Sequence, residues 1–119
     1  MEKYFLDFAP PIVGMEGVFN TFRLGIAWTK RVEPNDIILL TNKARSTVIG
    51  RAKVVDIKIG TLSEMAATDA RFNHNHREYK TLVAAERLVE SMIKRYGPQK
   101  CSENSKVTVI YLEIIEHAI

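Results

Sequence analysis

The chain has 119 residues, 46% of them apolar and 26% charged, with a formal net charge of +3. That length predicts one domain, 1–119, with enough chain to bury a real core. No apolar run approaches the ~18 residues a membrane span needs, and a single cysteine, Cys101, excludes an internal disulfide or a cysteine-based zinc site. The amino-terminal stretch carries Glu2 and Asp7 and nothing of signal-peptide length, so a cytoplasmic protein is expected.

In chain order, Tyr4 to Phe8 reads as a first strand, broken at Ala9-Pro10-Pro11. Val18 to Leu24 reads as a second, with Val18, Asn20, Phe22 and Leu24 on one side and Phe19, Thr21 and Arg23 on the other. Pro34-Asn35-Asp36 predicts a turn, because Asn tolerates left-handed backbone, and Ile37 to Leu40 a buried strand. Thr47 to Ile59 alternates but slips phase at Val54-Val55, which predicts a bulge. Thr61-Leu62-Ser63-Glu64 has the spacing of a helix capping box. Phe72 to Arg77 is polar and irregular. Glu78 to Tyr96 predicts the one long helix, stopped by Gly97 and Pro98, and Lys106 to Ile115 a closing strand. Strands, a short helix, a long helix and a last strand predict an α+β fold: a small, partly closed β-barrel with helices packed at its side.

The charge is unevenly placed. Residues 20–60 hold eight basic and three acidic residues, while 61–119 hold eight of each. A basic strand-rich segment favours phosphate-bearing partners. Within it, Arg23 is placed to fork onto a carboxylate or phosphate. Trp28 beside Lys30 and Arg31 has the make-up of a stacking platform with phosphate contacts, and is equally what a core tryptophan beside surface charges would look like. On the long helix, a wheel centred on Val89 at about 100° per residue puts Glu86 inside the apolar arc, either as a functional carboxylate or at the rim of the stripe. His74-Asn75-His76 reads as a pair of solvated loop histidines. No cysteine or carboxylate cluster accompanies it, so no metal and no cofactor is expected. Phosphate-loop, dinucleotide and serine-hydrolase motifs are absent.

The ordered set Thr21-Phe22-Arg23-Leu24-Gly25, Trp28, Val32-x-x-Asn35-Asp36-Ile37-Ile38-x-Leu40, Gly50-Arg51-Ala52-Lys53-Val54, Thr61-Leu62-Ser63-Glu64-Met65, a helix ending at Tyr96 and Val107-Thr108-Val109-Ile110 resembles the ASCH domain of the PUA-like superfamily, over most of the chain. The resemblance implies a β-barrel with a cleft where relatives bind RNA or modified nucleosides. Some small members are amidohydrolases that deacetylate acetylated cytidine, with a lysine, a threonine and a glutamate lining the cleft. The threonine lies two residues before an arginine, matching Thr21 and Arg23, and the glutamate falls at or beside Glu86. The family lysine precedes the threonine, whereas here no lysine lies between Lys3 and Lys30.

Together these features favour a non-catalytic RNA- or nucleoside-binding module. In it Arg23, Lys30, Arg31 and Arg51 contact phosphates, Trp28 stacks, and Thr21 and Glu86 hydrogen-bond a base edge. The alternatives are an amidohydrolase with Thr21 as nucleophile and Glu86 as general base, and a protein-interaction module marked by an exposed apolar patch.

Overall fold

A computed structural model describes residues 2–8, 13–76 and 81–117. Five strands, β1 (Glu2–Phe8), β2 (Val18–Leu24), β3 (Ile37–Asn42), β4 (Val48–Thr61) and β5 (Lys106–His117), form one sheet in the order β1-β3-β4-β5-β2. β1 runs parallel to β3 and the other pairs are antiparallel. The predicted slip in β4 is a break in its pairing with β5 between Val54 and Asp56. The Pro34 turn holds Asn35 at φ 79°, and the Asn35 amide donates to the Val54 carbonyl at 2.8 Å. Ala9-Pro10-Pro11 and Glu78 to Lys80 lie outside the described residues.

Period-2 alternation sorts the side chains between two cores. On one face of the sheet Leu6, Phe8, Phe19, Ile38, Leu40, Val54, Ile110 and Leu112 pack together. On the other, Phe22, Val107 and Val109 meet α1 (Leu62–Asp69) and α2 (Thr81–Tyr96) through Leu62, Ala66, Ala84, Leu88 and Met92. β2 is therefore buried on both sides, which is why both of its side-chain sets contain apolar residues. α1 starts with the predicted capping box, in which the Glu64 amide donates to Thr61 Oγ1 and the Thr61 amide to Glu64 Oε1. α2 stops at Gly97, held at φ 88°, whose amide donates to the Ile93 carbonyl.

The α2 face differs from the sequence expectation. Leu82 and Val83 are exposed, and the helix buries Ala84, Leu88 and Met92 with Val89 at the margin. The apolar arc is thus centred on Leu88 rather than Val89, and Glu86 stands exposed on the far side. Helical periodicity gives the width of an apolar stripe, but only packing selects its centre.

Candidate functional site

β1 and β2 are the terminal strands of the sheet, and the sheet curls until they approach. Arg23 bridges the seam. Its Nη2 donates to the Asp7 carbonyl at 2.7 Å, its Nη1 lies 3.5 Å from Asp7 Oδ1, its Nε donates to Thr21 Oγ1 at 3.2 Å, and its guanidinium covers the Phe8 ring at 4.9 Å. Thr21 and Arg23 share the side of β2 that carries Phe19.

Above this seam is a cleft of about 260 Å³ lined by Asp7, Phe8, Thr21, Arg23, Lys43, His74, Asn75, Arg95 and Tyr96. Its third side is the loop after α1. There the Asn73 side chain and the His74 amide both donate to the Asn20 carbonyl of β2, and Asn73 Oδ1 accepts from the Asn75 amide and meets His76 Nδ1. Gly14 packs against the loop's back. It sits at φ +70°, and a Cβ there would lie 2.0 Å from the His74 carbonyl oxygen. The histidines expected to be solvated are consequently buried, with His74 only 7% exposed. This is a correction to the sequence reading: a polar loop buries its histidines when its backbone pairs with a strand edge. Among the described residues no three potential ligands gather as a metal site.

Burial, with Arg23 and Arg95 nearby, pushes the His74 imidazole down to about 4 against an opposing bond to the Val13 backbone, so the ring is neutral at physiological pH. Its Nδ1 is buried without a hydrogen-bond partner, as is Asn75 Oδ1. Burial also lowers the Arg23 guanidinium, while Asp7 opposes the shift and Arg95 adds to it. The cleft thus holds three cationic side chains, Arg23, Lys43 and Arg95, against the single carboxylate of Asp7. It offers charge-assisted donors to an anion.

Of the expected site residues, Thr21 and Arg23 come together in the cleft, and the others do not join them. Trp28 and Arg31 lie at a separate groove. Lys30 is exposed at the end of the 3₁₀ turn Ala27–Lys30 and lines neither recess. Arg51 lies opposite Glu116 in the β4–β5 ladder, 3.5 Å from its carboxylate. Glu86 does not line the cleft. Sequence reasoning missed Asp7, Lys43, His74, Asn75 and Arg95. Arg95 had a usable signal, since it follows Leu88 by seven residues and so continues the buried face of α2.

No family model matches the sequence, and no curated protein matches it. Solved structures are similar in fold. The hypothetical protein PH0355 superposes with a TM-score of 0.62 at 16% identity, covering 94% of this chain and 98% of that one. The ASCH domain from Lactobacillus crispatus gives 0.53 at 9% identity, with 87% of this chain and 67% of that one covered. A variant of ZmASCH from Zymomonas mobilis gives 0.54 at 13%, with 94% and 70% covered. The chain has the ASCH-type, PUA-like α+β fold. Among the described residues no helix is long and apolar enough to cross a membrane.

Proposed function

We propose that the protein binds RNA or a modified nucleoside in the cleft between β1 and β2, as a binding module of ASCH type. The observation that carries this reading is the gathering of three cationic side chains against one carboxylate in a single recess. A phosphate meets Arg23, Lys43 and Arg95, while the Thr21 hydroxyl and the Asn75 side chain on the same walls meet the polar edge of a base. A polar cleft of this kind also supports a small polar ligand over a protein-docking face.

An amide NMR titration with a nucleoside 5′-monophosphate tests the reading. Shifts gathered at Thr21, Arg23, His74 and Asn75, weakened by about tenfold or more on going from low to high salt, are expected. Unmoved cleft amides, or a salt-independent curve, would sink it.

Lys43 favours a second reading. It brings to the cleft, from the β3–β4 turn, the ammonium that the segment before Thr21 lacks. In an amidohydrolase, Thr21 Oγ1 would attack the acyl carbon as its proton passes to the Asp7 carboxylate, Arg23 and Lys43 would hold the oxyanion, the amine would leave with that proton, and water would hydrolyse the acyl-threonine to acetate. Release of acetate from acetylated cytidine, abolished by Thr21→Val and Lys43→Met but unaffected by Glu86→Gln, is its signature. Absence of turnover leaves the binding module.

A further inference from the structure

Beside the cleft lies a second, shallower groove of about 430 Å³ lined by Tyr4, Phe5, Trp28, Arg31 and Arg45. Among the described residues its lining is two guanidiniums and three aromatic rings, with no carboxylate. Trp28 forms a wall, with Arg31 over its face at 5.1 Å and the Tyr4 ring edge-on at 6.1 Å. Phe5 is 48% exposed and Tyr4 38%. β1 is a terminal strand of the sheet, where exposed aromatics invite unwanted strand pairing unless they serve a ligand.

The groove is joined to the cleft. Asp7, which lines the cleft, lies between two arginines, with Arg23 at 3.5 Å on the cleft side and Arg45 at 3.7 Å on the groove side. Arg45 and Lys43 stand on one turn. That turn is fixed by Asn42, whose Oδ1 accepts from the Ser46 and Thr47 amides and whose carbonyl accepts from the Arg45 amide. The turn therefore sends one cation to each recess. It does so with Arg45 at φ 57°, a left-handed conformation that is unfavourable for a non-glycine residue.

We infer that the groove holds the nucleotide adjoining the one in the cleft, so that the ligand class is a single-stranded oligonucleotide rather than a free nucleoside. This rests on the reading of the cleft as a nucleotide site. A base stacks on Phe5 and Tyr4 against the Trp28 wall, and the linking phosphodiester passes beside Arg45, whose partner Asp7 is neutralised from both sides. Arg31 meets the next phosphate.

Trp28 is the chain's single tryptophan, so its fluorescence reports the groove alone. The experiment compares cytidine 5′-monophosphate with unpaired oligocytidylates of two to four nucleotides, read by Trp28 fluorescence and by the cleft amides together. The expected result is cleft shifts without a Trp28 change for the mononucleotide, then Trp28 quenching and about tenfold or greater tightening from the dinucleotide onward. Phe5→Ala should remove about five- to tenfold of oligonucleotide affinity and leave mononucleotide affinity unchanged. Oligonucleotides that bind no tighter than the mononucleotide, or that leave Trp28 unmoved, overturn the inference while the cleft reading stands. If neither ligand moves the cleft amides, both fall.

Discussion

Two polar clusters lie on opposite sides of β2, and they are finished differently. On the helix side Asp69, 1% exposed, receives the Tyr111 hydroxyl at 2.5 Å, Lys58 Nζ at 3.0 Å and the Thr68 hydroxyl, while Asn20 Nδ2 donates to its backbone carbonyl at 2.8 Å. Burial pushes the Asp69 carboxyl up. The hydrogen bonds from Thr68, Tyr111 and Lys58 outweigh it and hold the group below the usual carboxylate range. Asn20 Oδ1 in that cluster has no hydrogen-bond partner, and on the cleft side His74 Nδ1 and Asn75 Oδ1 have none either, so the two clusters differ in charge. A carboxylate satisfied from three elements fastens a fold. A recess that gathers Arg23, Lys43 and Arg95 against Asp7 alone keeps cationic donors for an anion from outside.

This contrast predicts opposite responses to substitution. The largest effect belongs to Asp69→Ala, which leaves the Tyr111 hydroxyl and Lys58 without their shared acceptor. Urea unfolding should show a loss of about 3 kcal/mol, the scale of hydrogen bonds to a charged group, with ligand affinity of the remaining folded protein unchanged. A loss under 1 kcal/mol would make the cluster incidental.

Next comes the pH dependence that His74 imposes. Its folded pKa lies near 4, below the ordinary 6.5, so between those values the unfolded chain binds a proton that the native chain refuses. Stability is therefore complete above about pH 6.5 and falls as pH drops toward 4, by about 3 kcal/mol at the acid end. His74→Leu should flatten that limb and cost nucleotide affinity about tenfold while changing neutral-pH stability by only ~1 kcal/mol. An acid limb that survives the substitution would assign it to other groups.

A smaller effect is expected of Arg23→Lys. One guanidinium serves the Asp7 carbonyl, Thr21 Oγ1 and the Phe8 face at once, and an ammonium cannot. Calorimetry should record a loss of about 1–2 kcal/mol and a nucleotide affinity down about tenfold. Equal affinity would remove Arg23 from the site. At the bottom of the scale, Glu86→Gln and Arg51→Gln should shift stability by less than about 0.5 kcal/mol and leave binding as it was, since both stand exposed away from the two recesses. Binding lost in either variant would redraw the site.

What the sequence determined by itself was what short-range chemistry encodes. Alternation placed Thr21 and Arg23 opposite Phe22 on β2. The slip at Val54-Val55, the Thr61 capping box, the Asn35 turn and the Gly97 stop each depend on neighbours within a few residues, and each stands in the structure. Tertiary structure alone decided the rest. Periodicity along α2 could not say whether Val89 or Leu88 faced the sheet, so Glu86 was misplaced by the turn of one helix. No local rule shows that Asn73 and His74 pair with Asn20, or that Asp7, Lys43 and Arg95 from β1, a hairpin turn and a helix end meet at Thr21. These residues are far apart along the chain and adjacent only because the sheet curls its two terminal strands together, with one arginine across the gap.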